Sequence, residues 1–316
     1  MGSFIGKRVL HLLPVLLCVS LLTFLIASLL PGDLAYTMLG DQATPEKLAA
    51  LRHNIGLDLP IWQRYLQWLS NVLQGDLGRS FRTGETVSAT ISDRLPVSLE
   101  LMVLAEVIGL GVGVPLAIVC AVRAGGLVDR TLTALAFGKL SLPSFVVAIL
   151  LIYIFAVSLR WLPATGYVPF AEDPVGNIRS FILPALTLAF GEWPVLMRVL
   201  RSDMIATLQE DYIAMARAKG LRPARILLVH ALKPSSLTLV TITGINIGRL
   251  IGGALLTETI FALPGIGRLL VGAIYARDFM ILQGVVLFVA AGFVLMNLVV
   301  DLLYGFLDPR IRDGRT

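Results

Sequence analysis

Six stretches of the chain, 9–30, 97–122, 131–159, 181–200, 237–256 and 280–306, each hold about 20 or more mainly apolar residues. That length lets a helix cross the hydrocarbon core of a bilayer, about 30 Å at 1.5 Å per residue. Within lipid, backbone N–H and C=O groups find no water and must bond inside the chain, which leaves helix as the natural form of such runs. With 56% hydrophobic residues, 15% charged and a mean hydropathy of +0.83, the chain is too apolar for an ordinary soluble fold of 316 residues. The expected fold is all-α, a polytopic membrane protein with six transmembrane helices.

Lys7 and Arg8 precede the first stretch as they would in a secretory signal. The apolar run is longer than a signal core, and Leu30-Pro31-Gly32-Asp33 offers no small-x-small cleavage site, so a retained helix is expected. Basic residues in short loops stay on the cytoplasmic side. An inside start places Lys7, Arg8, Arg123, Arg130, Arg198, Arg201, Arg217, Lys219, Arg222, Arg225, Lys233, Arg310, Arg312 and Arg315 there, against Arg160, Arg179, Arg268 and Arg277 in the short outer loops. Both termini are then cytoplasmic. The chain divides into 1–30 (N terminus and first helix), 31–96 (a helical extracytoplasmic insertion), 97–306 (a five-helix core with a cytoplasmic loop at 201–235 and an outer segment at 257–279) and a tail, 307–316.

The insertion carries its own helix punctuation. Thr44-Pro45 suits a helix start and Gly56 a stop. Ile61, Tyr65, Trp68, Leu69 and Val72 then recur at helical spacing, an amphipathic helix read as a structural cap on the outer end of the bundle. His53 reads as an exposed polar residue, Cys18 and Cys120 as packing residues within spans, and no group of residues has metal-ligand spacing. The net charge of +5 matches contact with anionic headgroups, and without an aromatic-interleaved basic patch it gives no reason to expect nucleic acid.

The loop between the fourth and fifth spans is a helix, turn and helix on sequence alone. Glu210 and Asp211 suit the start of a helix, Ala214, Ala216 and Ala218 are strong helix formers, and Arg217 and Lys219 favour its end. Gly220 can take the left-handed cap, and Pro223 opens a second helix that Pro234 is expected to interrupt at the membrane. Such a unit is either a solvated amphipathic connector or a docking element.

Within the spans, Gly244, Gly248 and Gly252 share one helix face and let a neighbouring backbone approach. Glu106, Lys139, Glu192 and Arg249 are ionisable at membrane depth, where they must face protein or water, as ion pairs or as lining of a solute path. The segment 257–279, with Pro264, Gly265 and Gly267, reads as a broken outer-side helix, either a gate or a plain connector.

The run Asp211-Tyr212-Ile213-Ala214-Met215-Ala216-Arg217-Ala218-Lys219-Gly220-Leu221 resembles the cytoplasmic signature of binding-protein-dependent ABC importer permeases. Set on Gly220, the general signature meets Ala214-Met215-Ala216 in place of Glu-Ala-Ala, His230 in place of isoleucine, and Lys233 where proline is usual, with Pro234 one place later. The version in the dipeptide, oligopeptide and nickel permeases is closer. Pro31-Gly32-Asp33, Gly75-Asp76-Leu77-Gly78-Arg79-Ser80, Glu258-Thr259-Ile260-Phe261, Pro264-Gly265-Ile266-Gly267-Arg268-Leu269 and Asp308-Pro309-Arg310 are similar to that family over almost the full length. The long insertion resembles the first permease of the family's heteromeric pair.

The resemblance implies a transport subunit of the bacterial cytoplasmic (inner) membrane, with no catalytic residues. It implies a second homologous permease, two ATPase subunits, the same or different, and an extracytoplasmic solute-binding protein as partners, besides membrane lipid. Residues Glu210, Asp211, Tyr212, Ala214, Ala216, Arg217, Ala218, Lys219, Gly220 and Leu221 would form the ATPase-coupling loop. The chain has no phosphate loop; Gly109, Gly111 and Gly113 lack the lysine, so ATP and Mg are expected on the partners and no cofactor on this chain. An ion-coupled secondary transporter would also explain buried charges in a bundle but leaves the loop without a role. A membrane enzyme is disfavoured by three scattered histidines, His11, His53 and His230.

Overall fold

The computed structural model describes residues 2–29, 44–54 and 58–307. Pro31-Gly32-Asp33, Gly56 and the tail from Asp308 lie outside them. In chain order the helices are α1 (Gly2–Leu29), α2 (Pro45–Asn54), α3 (Ile61–Leu73), α4 (Val87–Val122), α5 (Leu127–Leu140), α6 (Ser144–Leu151, continued as π-helix over Ile152–Ser158), α7 (Pro174–Leu208) and α8 (Asp211–Ala218). They are followed by α9 (Pro223–Arg225, π-helical Ile226–Ala231, then Leu232–Gly253), α10 (Leu255–Ile260), α11 (Ile266–Ala276) and α12 (Phe279–Leu307). No strand occurs among the described residues.

Helices α4 and α7, 36 and 35 residues long, form the spine, and both exceed the spans expected from hydropathy alone. Thr86 caps α4 by accepting from the Ala89 N–H at 3.4 Å, and Asp173 caps α7 through Val175 at 3.0 Å ahead of Pro174. The pair packs closely because small residues meet large ones. A Cβ on Gly113 would come within 3.1 Å of Leu196 Cβ and 3.2 Å of the Trp193 carbonyl. Around that seam lie two buried clusters, one with Leu101, Ala105, Phe181 and Leu183, the other with Ala117, Cys120, Leu196 and Leu200. In lipid such contacts are favoured by close dispersion packing rather than by exclusion of water.

Among the described residues, four helices are long and apolar enough to cross a membrane: Val87–Val122, Pro174–Leu208, Pro223–Ile251 and Phe279–Val300. A fifth span is available if Leu127–Lys139 and Ser144–Ser158 count together, but they meet at 99°. The expected continuous helix over 131–159 is therefore corrected. Pro143, at φ −60° and ψ 142°, adopts an extended conformation that ends α5 and starts α6. The α1 helix carries a shorter apolar run, Leu12–Ile26. On it Cys18 is exposed, so of the two cysteines only Cys120 is a packing residue.

A second correction concerns Pro234. It sits in the first turn of Leu232–Gly253, and the helix passes through it because the preceding π-helical turn loosens the backbone where the missing N–H and the ring would otherwise collide. The same helix stops at Gly253, short of the expected 256, and α10 follows.

Between α1 and α4, helix α3 lies against α1. Tyr65 and Trp68 stack around Phe24 with ring centroids 5.5 and 5.7 Å away, and the Tyr65 and Ser20 hydroxyls are 2.9 Å apart. Ile61, expected on the buried stripe, is exposed with Trp62 and Leu66. His53 is exposed, its ring 3.7 Å from Asp58, an acidic neighbour that the sequence reading did not pair with it.

Candidate functional site

Three places gather the residues singled out above: the short helix α8, the charges inside the bundle, and the turn between α10 and α11.

Helix α8 lies between the ends of two membrane helices. α7 terminates at Leu208, and only four residues separate the end of α8 from the start of α9. Ile213 and Ala216, three apart on one face, are buried against Ile226, with Leu208 and Leu221 around them. The opposite face, with Asp211, Tyr212, Ala214, Met215, Arg217, Ala218 and Lys219, is exposed. Of the residues named from sequence, Ala216 thus belongs to the seat of the helix; Ile213, which fixes that seat, was missed. Gly220 has φ +73°, and the Leu221 N–H reaches back to the Ala216 carbonyl at 3.2 Å, a glycine-dependent helix end.

The Tyr212 hydroxyl donates to the His230 carbonyl at 3.2 Å. Four residues beyond His230 stands Pro234, which has no N–H to offer that carbonyl. The proline thereby frees an acceptor, and the tyrosine ties α8 to the root of α9. Burial, and next the neighbouring Glu210, push the Tyr212 phenol above its usual range, so it remains a donor at neutral pH. Beside this junction a cleft of about 630 Å³ is lined by Ala121 and Val122 of α4, Leu208 of α7, and Arg217, Leu221 and Ile226.

A further tie, missed in the sequence, lies just behind. Asp129 is 2% exposed and receives Arg201 Nε at 2.5 Å and Nη2 at 2.6 Å, together with the Gly125 N–H at 2.8 Å. The fork binds the start of α5 to α7 about two turns before α7 ends. Arg201→Ala would leave a buried carboxylate without its counter-charge, and is expected to cost about 3 kcal/mol. Thermal unfolding of the purified subunit in detergent measures it; an unchanged midpoint would refute the tie.

Inside the bundle, Glu106 on α4 and Glu192 on α7 are 5% and 2% exposed, and no oxygen of either carboxyl group has a hydrogen-bond partner among the described residues. Lys139 of α5 is buried with its Nζ 5.1 Å from the Phe190 ring centroid, while Arg249 of α9 is exposed. Glu192 lies within the electrostatic field of the other three, yet none of the four closes to a salt bridge among the described residues. On α9, a Cβ on Gly244 would collide with Val300 of α12, and one on Gly248 would come within 3.0 Å of Phe293. Gly252 lies in the same helix, with its surroundings outside those described.

The turn between α10 and α11 is organised by Glu258, which is 1% exposed. Its carboxylate accepts from the Ser98 hydroxyl of α4 at 2.7 Å and from the Arg268 N–H at 3.0 Å, with a further backbone bond from Gly267. Ser98 in turn accepts from the Ile266 N–H at 2.8 Å. The start of α11 is an anion-binding helix terminus filled by a carboxylate of the same chain. Gly265 has φ −100°, which any residue can adopt; it is small because a Cβ would run into the Glu258 carboxylate, within 2.5 Å of Oε1. A Cβ on Gly267 would lie 2.5 Å from the Leu255 Cα. Gly265 and Gly267 thus enclose Glu258, whose part was not anticipated, with Pro264 beside them in the turn.

Helices of membrane length, a small exposed helix carried between two of them, and no strand among the described residues are the architecture of an integral membrane protein. Family models agree. The chain belongs to the binding-protein-dependent transport system inner membrane component family, whose model matches residues 113–313, and that family's N-terminal model matches residues 1–102. A permease protein of Brucella abortus is 44% identical over 99% of both chains. The di/tripeptide transport system permease of Pseudomonas aeruginosa is 38% identical over the full length of both, and the dipeptide transport system permease of Escherichia coli K12 is 38% identical over 99% of both. A chain of the MetNI methionine ABC transporter, solved in inward-facing conformations, shares the fold at a TM-score of 0.56 and 17% identity, over 69% of this chain and 96% of that one. The protein is a permease subunit of an ABC importer in the cytoplasmic (inner) membrane, a transport component rather than an enzyme, and membership brings ATPase and binding-protein partners.

Proposed function

We propose that this chain forms half of the translocation pathway for a peptide or related small solute, handed over by an extracytoplasmic binding protein. A second homologous permease forms the other half, and two ATPase subunits, the same or different, carry ATP and Mg beneath them. The full-length similarity to permeases named for dipeptides and tripeptides supports the solute class. In this reading α1 and the bent α5–α6 pair complete six spans, both termini are cytoplasmic, and α2 and α3 lie outside.

The exposed face of α8 carries the reading, since it joins the ends of two membrane helices and leaves Asp211, Tyr212, Ala214, Arg217, Ala218, Lys219 and Gly220 open to a partner, with Glu210 and Leu221 at its borders. ATP binding and hydrolysis can drive the bundle only if the ATPases dock differently on its two states, so α8 must move with α7 and α9. Glu106, Lys139, Glu192 and Arg249 serve the pathway or pair in another state of the cycle, Gly244, Gly248 and Gly252 allow helix contact, and the turn at Pro264, Gly265 and Gly267 acts at the outer gate.

Proteoliposomes with both permeases, the ATPases and the binding protein test this. Uptake of a labelled dipeptide is expected to require ATP on the ATPase side and to survive ionophores. Uptake without ATPases, driven by an ion gradient, would instead establish the secondary-transporter alternative, to which the buried charges are suited.

A further inference from the structure

At the end of the bundle away from α8, three arginines line one cavity of about 440 Å³. Arg82 comes from the loop before α4, Arg94 from two turns into α4, and Arg268 from the first turn of α11; Gly272 and Ala276 form its small-residue floor. The side chains of Arg82 and Arg94 have no hydrogen-bond or ion-pair partner among the described residues. Arg268 spends Nη1 on the Ala262 carbonyl and keeps its remaining donors.

One carboxylate lines the same cavity, that of Asp278. It is already engaged, accepting from the Ser80 hydroxyl at 2.5 Å and from the Ile281 N–H at 3.3 Å. The balance is three guanidinium groups against one committed acid. Forked donors of that kind match the geometry of carboxylates.

The side of the membrane follows from α4. Its 36 residues span about 54 Å, with Arg94 near one end in this cavity and Ala121 and Val122 at the other in the cleft beside α8. If ATPases dock at α8, the arginine cavity opens on the extracytoplasmic face.

We infer that Arg82, Arg94 and Arg268 form a carboxylate-accepting pocket that receives acidic side chains of the extracytoplasmic binding protein. The assignment rests on the importer reading above. The pocket wall includes Pro264 and Gly265, so a docked carboxylate touches the same turn that encloses Glu258, which places partner binding against the outer gate segment. Exposed Ile274 and Tyr275 on α11 supply apolar contact area beside it.

The test uses the complete transporter in nanodiscs and its solute-loaded binding protein, with ATPase stimulation as readout relative to each variant's own unstimulated rate. Arg82→Glu and Arg94→Glu are each expected to raise the half-stimulating concentration of binding protein about tenfold or more, with Arg→Gln variants intermediate. The wild type should lose apparent affinity as salt rises, and the variants should lose less. Arg82→Lys adds a direct probe: treated with a water-soluble carbodiimide, its amine should form an amide with an acidic side chain of the binding protein, giving a covalent adduct absent from the wild type. Equal half-stimulating concentrations in all variants would overturn the pocket, as would loss of the second permease from the purified Arg→Glu complexes, since the surface would then join permeases. A wild-type complex that no binding protein stimulates would overturn the importer reading itself.

Discussion

Replacing Gly220 by arginine is expected to reduce ATP-driven uptake at least about tenfold, within the range of ordinary coupling energies, while the chain still inserts and folds. At φ +73° a non-glycine residue costs about 1–2 kcal/mol. Apart from its chain neighbours, nothing lies within 4 Å of where a Cβ would stand, so the fold itself has room for a side chain. The bulk and charge of arginine would instead project from the exposed end of α8, where the proposed ATPase docking takes place. Gly220→Ala separates the two effects, since it carries the conformational cost without the bulk and should retain most uptake. Both are read by uptake into proteoliposomes and by co-purification of the ATPases; a Gly220→Arg transporter with normal uptake and a full ATPase complement would remove α8 from the docking role.

Gly265→Ala is expected to be strongly destabilising for a single added methyl. The added Cβ would run into the Glu258 carboxylate, which cannot retreat because Ser98 and the amides of Gly267 and Arg268 hold it. Glu258→Ala removes the acceptor and strands those donors, at about 1–3 kcal/mol each where buried. Against a total stability of about 5–15 kcal/mol, either change should lower the thermal midpoint and the yield of assembled complex sharply. The double variant is diagnostic. Without the carboxylate the methyl has space, so Glu258→Ala with Gly265→Ala should be more stable than the sum of the single losses, whereas strictly additive losses would sink the cradle.

Legibility in the sequence followed the range of the interactions. The helix α8 and its glycine end were readable because capping, dipole and turn preferences act within a few residues, and Glu210 to Gly220 satisfies them together. The 99° bend at Pro143 was not, because hydropathy measures apolar length and passes unchanged through a break in direction. Pro234 misled for a related reason: a proline forbids one hydrogen bond, but a π-helical turn beforehand and a hydroxyl from another helix can absorb the loss. The Asp129 and Arg201 fork joins residues 72 apart, and Ser98 and Glu258 are 160 apart. Such partners become apparent only once α4, α5, α7 and α10 are laid side by side. Within segment 257–279 the glycines were visible and the carboxylate they surround was not, since the shape of a backbone cradle is a property of three dimensions.

The continuity of α9 has a mechanical consequence. From Pro223 to Ile251 it is one rod of 29 residues, about 44 Å long, rooted beside α8 and carrying Arg249 near its far end. A rod of that length is a lever: a tilt of about 5° at the root sweeps the far end through about 4 Å, comparable with the rise of one helical turn. Gly244 and Gly248, which bring α12 against the rod, lie in its far part, so the sweep is delivered to that contact. The π-helical turn at Ile226–Ala231 is the compliant joint at its base, so twist and tilt need not be delivered in fixed proportion.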